Sequence, residues 1–209
     1  MPFYRERIYP HLVDALGNPP PIAAVRKGLI PIAQGDVLEI GVGPGVNFPL
    51  YDSAKVKKVY ALEPNPGMFR RADEQRRKTS LSVDFIELPG ERIPLPDASV
   101  DTVVSTFTLC TIPGVLDAIR GLKRALKPNG QFIFFEHGLA PDAPVQRWQR
   151  RTEPFFRWAF EGCHITRNIP ELIAQGGFRI KQKEEAYLAP FPKCGSYCFW
   201  GVAAPCLDS

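Results

Sequence analysis

The sequence predicts an α/β domain built on a mainly parallel sheet, and three observations carry that expectation. Short apolar runs of strand length recur along the chain, stretches with helical spacing separate them, and two extended segments close the sequence with only a short loop between. The first run, Asp36-Val37-Leu38-Glu39-Ile40-Gly41, ends in glycine, as a buried strand does before a turn. Similar runs follow at Val56–Leu62, Ser82–Leu88, Val100–Phe107 and Gln131–Glu136. Helices are expected at Phe3–Leu16 and Pro20–Gly28 ahead of the first strand, then at Pro66–Lys78, where Pro66 suits a first turn. Another is expected at Gly114–Leu126, where Leu116, Ile119, Leu122 and Leu126 recur at three- and four-residue steps. Phe178–Leu188 and Ser196–Ala204 then read as an antiparallel hairpin at the sheet edge.

Length and composition narrow the class. At 209 residues the chain suits one domain, and 44% hydrophobic with 23% charged residues is ordinary globular usage that argues against disorder. No apolar run approaches the roughly 18 residues of a membrane span, and Met1–Arg7 shows no signal-peptide pattern. The five cysteines include no Cys-x-x-Cys pair, so reduced thiols and a cytoplasmic location are expected. A net charge of +4 is too small, without an added recognition module, to point to nucleic acid. The basic cluster Arg70-Arg71 with Arg76-Arg77-Lys78 reads as a solvated helix face.

The chemistry-bearing signal follows the first strand, in Glu39-Ile40-Gly41-Val42-Gly43-Pro44-Gly45. Glycines at a strand-to-helix turn let the backbone approach a ligand closely. The dinucleotide fingerprint asks for a third glycine where Val46 stands, and no Gly-Lys-Ser/Thr follows to make a phosphate loop. The second strand ends Leu62-Glu63-Pro64-Asn65, and a carboxylate at such a tip is matched to the two hydroxyls of a ribose.

This acidic-x-Gly-x-Gly-x-Gly turn with Glu63 resembles the nucleoside-binding turn of class I S-adenosylmethionine-dependent methyltransferases. Pro89-Gly90-Glu91-Arg92, Ile93–Asp101 and Leu126–Gln131 resemble the ubiquinone-biosynthesis-type branch of that superfamily. The resemblance implies a seven-stranded sheet in the order 3-2-1-4-5-7-6 with an antiparallel last strand. It also implies S-adenosyl-L-methionine as methyl donor, S-adenosyl-L-homocysteine as product, and a cofactor-binding half over residues 35–137. Its cofactor residues map to Glu39, Gly41, Gly43, Gly45, Asn47, Glu63, Pro64, Met68, Gly90, Glu91 and Thr106. Pro89 stands where many relatives carry an aspartate, so adenine selection passes to the backbone near Gly90 and Glu91, with the Glu91 carboxylate for the exocyclic amine.

The second half is similar to the small methyltransferase-like proteins of animals that methylate alkyl thiols and sulfide. The matching segments are Thr108-Leu109-Cys110, Phe134–His137, the helix around Trp148, and Phe160–Arg167. The N-terminal membrane anchor of those proteins is not expected here. The resemblance implies a small apolar acceptor, a thiol ahead of a phospholipid amine, with a non-catalytic nucleoside-binding module as the rival reading. Residues 1–34 are then N-terminal helices and residues 138–209 the substrate side, all in one domain; no oligomeric state is implied.

Ligands collect at the carboxyl ends of strands in such sheets, so Ser105, Thr106, Phe107, Thr108, Glu136 and His137 are candidates to face the acceptor. His137 is the expected base for a thiol, with Glu136 orienting its ring or stabilising the imidazolium, against the alternative of a histidine bonded to a loop carbonyl. His164 is a second base candidate, a lid residue, or part of a helix start capped by Thr166 before Arg167–Gly176. Cys163 reads as a packed thiol, and a zinc site from Cys194, Cys198, Cys206 and His164 is opposed by its Cys-x3-Cys spacing. Val145–Phe160 carries Trp148, Phe155, Phe156 and Phe160 on one side and Arg147, Arg150, Arg151 and Arg157 on the other, with Pro154 expected to divide it into two helices. It reads as a roof over the acceptor, and in a second reading as a peripheral membrane contact through residues 145–160.

Overall fold

The computed structural model describes residues 4–188 and 192–206. Two helices, α1 (Tyr9–Leu16) and α2 (Pro20–Leu29), precede β1 (Gly35–Ile40) and β2 (Val56–Leu62). There follow α3 (Pro66–Arg76), β3 (Val83–Ile86), β4 (Val100–Thr106), α4 (Val115–Ala125) and β5 (Leu126–His137). The chain continues with α5 (Ala143–Ala159), α6 (Ile169–Gln175), β6 (Phe178–Tyr187), the short α7 (Lys193–Ser196) and β7 (Tyr197–Pro205). The strands form one seven-stranded sheet in the order β3-β2-β1-β4-β5-β7-β6. β1 to β5 pair in parallel, and β7 runs antiparallel to both β5 and β6. Sheet order and strand directions are those expected from the sequence.

Side chains alternate across each strand, so two cores form on opposite faces. Leu38, Val103, Phe132 and Phe134 pack with α4 and α6 on one face, while Val37, Val104, Ile133 and Phe135 pack with α2 and α3 on the other. α4 buries Val115, Ala118, Ile119, Leu122 and Ala125 at three- and four-residue spacing, the stripe a sheet-covering helix needs.

Three local expectations are corrected. β5 begins at Leu126 rather than Gln131: Val100 pairs with Leu126 and Thr102 with Gln131, so Lys127–Gly130 loops out as an irregularity within the ladder. Pro154 does not divide Val145–Phe160; α5 is continuous over 17 residues. Pro154 and Arg150 are both exposed, so the carbonyl that loses its partner lies on the water side. α6 starts at Ile169 with Asn168 as its cap, whose Oδ1 accepts from the Glu171 amide. Thr166 is unavailable for that role because its amide and hydroxyl both donate to Glu153.

Leu122 is completely buried between α4 and the sheet. Leu122→Ala is expected to lower unfolding stability by about 2–5 kcal/mol through lost burial and a residual cavity. Urea titration checks this, and a loss below about 1 kcal/mol would mean the α4 interface collapses to refill the space.

Candidate active site

The carboxyl ends of β1, β2, β4 and β5 open on a cavity of about 1200 Å³. Its floor begins at the glycine turn after β1, where the Gly41 and Val42 amides donate to the Leu62 carbonyl and tie the turn to β2. Gly41 and Gly43 have φ of 66° and 55°, the left-handed region that disfavours side chains. A Cβ on Gly41 would sit 2.2 Å from Thr108 Oγ1, so glycine there also permits close packing. A Cβ on Gly43 would meet nothing within 4 Å, so the backbone there is open to the cavity.

Glu63, at the tip of β2, spans this turn. One carboxylate oxygen accepts from the Gly43 amide and the other from the Asn65 amide, each at 2.9 Å. Asn65 in turn caps α3 through the Gly67 amide, which aims Pro64 and Met68 into the cavity wall. Gly90 and Glu91 also line the cavity, but Glu91 Oε1 accepts from the Gly114 amide at the start of α4. One oxygen of that carboxylate is therefore engaged in holding α4.

Glu39, Gly45 and Asn47 do not line the cavity; they support it from beneath. Glu39 is fully buried and accepts from Asn47 Nδ2 and Tyr51 Oη, both at 2.7 Å. Arg26 of α2 donates through Nη1 to Asn47 Oδ1 at 2.7 Å and Thr106 Oγ1 at 2.8 Å, and it does reach the cavity. Burial pushes Glu39 up to about 7 against the pull of Tyr51, Asn47 and Arg26, and burial pushes Arg26 down to about 10. Among the described residues the Arg26 Nε has no hydrogen-bond partner. Arg26 carried no sequence signal: it is one arginine in a helix outside every motif.

Strand alternation separates the pair expected to act together. Glu136 continues the Phe132/Phe134 face, where its carboxylate accepts from Ser105 Oγ at 2.6 Å and the Thr108 amide, away from the cavity. His137 points to the opposite side and lines the cavity, so Glu136 does not orient its ring. Ser105 likewise turns from the cavity, while Thr106, Phe107 and Thr108 line it. Phe107 has φ of 55°, costly for a bulky residue, and stacks on the His137 ring at 5.8 Å.

His137 Nε2 lies 3.2 Å from Cys163 Sγ, and Cys110 completes a group whose sulfur and nitrogen atoms all fall within 4.8 Å of one another. Its contact with Cys163, together with burial, holds the Cys110 thiol well above the ordinary thiol range. The zinc set weighed from the sequence, Cys194, Cys198, Cys206 and His164, is not assembled; among the described residues, the convergent cysteines and histidine are these three. His164 lines the cavity, with Nδ1 2.9 Å from Glu153 Oε1.

The end of α5 closes the space as Phe155, Phe156, Trp158 and Phe160 line it. Trp148 does not: it is 61% exposed, as Phe155 is at 58% and Trp158 at 77%. Phe156 and Phe160 pack against Cys110, Cys163 and Ile165, so part of the segment roofs the cavity as expected while Trp148 stands clear of it. What anchors α5 is a residue without a sequence signal, Gln149, which bonds the Gly138 and Ile165 carbonyls and the Ala140 amide. Tyr4 Oη donates to the Ala159 carbonyl at 2.7 Å, joining the N-terminal segment to the end of α5.

Residues 38–134 match the model of a methyltransferase domain. The chain is 33% identical over 152 residues to a thiol S-methyltransferase, TMT1B, of Rattus norvegicus, covering 71% of this chain and 62% of that protein. It is 26% identical over 167 residues to the ubiquinone/menaquinone biosynthesis C-methyltransferase UbiE of Bartonella quintana, covering 78% of this chain and 60% of that protein. The chain thus spans about three fifths of these relatives' length. A putative methyltransferase from Bacillus halodurans shares the fold, with TM-score 0.73 at 12% identity, over 88% of this chain and 100% of that one. With sequence matches and sheet order in agreement, the chain belongs to the class I S-adenosylmethionine-dependent methyltransferases.

Proposed function

We propose that this chain transfers the methyl group of S-adenosylmethionine to a small apolar thiol. The observation that carries the reading is that one cavity is lined both by the glycine turn with Glu63 and by the Cys110, His137 and Cys163 group beneath aromatic residues of α5. A cavity of about 1200 Å³ has room for a nucleoside and a small acceptor together. The relative named a thiol S-methyltransferase supports sulfur over a lipid amine as the acceptor.

The residues present fit the donor. In this reading the Glu63 carboxylate at the tip of β2 accepts from the ribose hydroxyls, and the open backbone at Gly43 lies against the nucleoside. Pro64 and Met68 pack beside it, and Gly90 with Glu91 meets the adenine. Arg26, whose Nε has no hydrogen-bond partner among the described residues, suits the carboxylate at the amino-acid end. Glu39, Gly45, Asn47 and Thr106 hold that edge in shape. When bound, the donor supplies a methyl already activated by a cationic sulfur, so the chain's own task is alignment and exclusion of water. Free thiols are only a few per cent ionised near neutrality, so control of acceptor ionisation falls to the wall containing His137. Glu136 and His164 have other commitments, to Ser105 with Thr108 and to Glu153.

A second reading concerns where the chain works. Trp148, Phe155 and Trp158 are exposed on α5 beside exposed Arg147, Arg150, Arg151 and Arg157, the composition of a helix resting on an anionic membrane surface. Among the described residues no helix is long and apolar enough to cross a membrane.

Three outcomes test these readings. Glu63→Ala should weaken S-adenosylmethionine binding at least tenfold, since charge-assisted hydrogen bonds contribute roughly 1.5–3 kcal/mol each; unchanged affinity by calorimetry would remove the ribose assignment. Across thiols of graded acidity, His137→Gln should lose about 10²–10³-fold in kcat/KM for the least acidic and progressively less for the more acidic. A uniform small loss would reduce His137 to structure. Vesicles containing anionic lipid should co-sediment with the chain, less at high salt and less after Trp158→Ser. Equal recovery with neutral vesicles, or none at all, would remove the membrane reading and leave the chemistry standing.

A further inference from the structure

The wall that faces the acceptor gathers two sulfurs and an imidazole from three separate segments: Cys110 from the loop after β4, His137 from the end of β5, and Cys163 from the turn after α5. We propose that Cys110, His137 and Cys163 bind a zinc ion whose fourth position faces the cavity and takes the acceptor sulfur as thiolate. This rests on the thiol reading above and deepens it, because His137 then controls acceptor ionisation as a ligand.

Geometry supports the site. Zinc binds sulfur at about 2.3 Å and imidazole nitrogen at about 2.0–2.1 Å, so a tetrahedral site needs its donor atoms about 3.4–3.8 Å apart. The three donors lie within 4.8 Å of one another, with Cys163 Sγ and His137 Nε2 at 3.2 Å, so adjustments of about 1 Å or less complete it. All three residues line the cavity, which leaves the remaining tetrahedral position on its side. Three protein ligands with one open position is the arrangement of catalytic rather than structural zinc, and sulfur with imidazole is a donor set that zinc favours.

The surroundings are built to hold these donors still. Arg167 Nη1 donates to the Leu109 carbonyl and to the Ile112 carbonyl at 2.8 Å, clamping the loop on both sides of Cys110. The Cys110 carbonyl accepts from the His164 amide at 2.8 Å, which fixes the neighbour of Cys163 to the same loop. Phe107 stacks on the His137 ring. Two thiolates and a neutral imidazole balance the dication in charge, so the zinc-loaded site awaiting its acceptor is neutral despite its burial.

The chemistry closes without a redox step. A thiol entering the open position gives its proton to solvent and stays as thiolate on the metal, because a coordinating thiol is deprotonated outright. Its sulfur then forms the new bond to the methyl carbon. The carbon–sulfur bond of the donor breaks with its electron pair going to the donor sulfur, leaving thioether and S-adenosylhomocysteine.

The test uses the full chain stripped with a chelator and then titrated with Zn²⁺ against a chromophoric chelator, and in parallel with Co²⁺. One ion per chain is expected, with Co²⁺ producing visible tetrahedral bands and a near-ultraviolet sulfur-to-metal band. Cys110→Ser and Cys163→Ser should each remove about half of that ultraviolet band and weaken Zn²⁺ at least 100-fold, while S-adenosylmethionine binding reports that each variant folds. Adding ethanethiol to the cobalt-loaded chain should strengthen the band. Octahedral bands, or affinity equal to that of the Cys110→Ser/Cys163→Ser double variant, would overturn the site. So would full thiol methylation by the metal-free chain, an outcome that keeps the thiol reading. Tetrahedral binding at these residues without thiol methylation would instead keep the site and sink that reading.

Discussion

A carboxylate sealed from water holds the cavity edge of this sheet together. Glu39 lies beneath the glycine turn, and a buried charge is tolerated only where hydrogen bonds and an opposite charge offset its desolvation. Tyr51 and Asn47 supply the bonds, and Arg26, through Asn47 and Thr106, supplies the charge. These residues come from β1, the turn after it, α2 and the end of β4, so one network sets the relative positions of four parts of the site wall. Removing any one member would strand the others in a medium where unpaired polar groups are costly.

Much of the fold was legible because its signals are local. Val56–Leu62 is a strand by composition and has those bounds in the structure, and the spacing of Ile119 and Leu122 predicted the stripe α4 buries. The glycine turn and Glu63 were legible for a related reason: they sit at fixed offsets from strands, and strand ends face ligands. What local signals could not settle was competition between distant groups. Thr166 has a good side chain for a helix start, yet Glu153, 13 residues away, takes it first and Asn168 caps instead. Pro154 ordinarily breaks a helix, but Gln149 anchors the segment and the orphaned carbonyl is turned to water.

Adjacent residues in a strand are the least able to cooperate, and the end of β5 shows why. Glu136 and His137 are neighbours in sequence but face opposite cores, so the histidine's partners are sulfurs from remote segments. Cys110 and Cys163 are far apart along the chain, and no spacing rule anticipates their meeting. Arg26 and Gln149 belong to the same category. Each is one polar residue in an ordinary helix, buried only because tertiary packing brings several unsatisfied backbone or side-chain groups to it.

Phe107 has a different implication. Its left-handed backbone, φ of 55°, is a conformation in which glycine would be at ease and a ring-bearing residue bears a cost of order 1–3 kcal/mol. The ring stays because it packs against Phe135 and His137 and beneath the Arg26 guanidinium. Local preference and global arrangement disagree at this position, which makes it a point of frustration in the chain. Glycine there would relieve the backbone but forfeit the ring's packing, a loss of about 3–5 kcal/mol for a well-packed phenylalanine, so the contacts outweigh the strain. The strained backbone is thus held in place by the same ring that holds the imidazole, and folding and the cavity wall make one demand at this position.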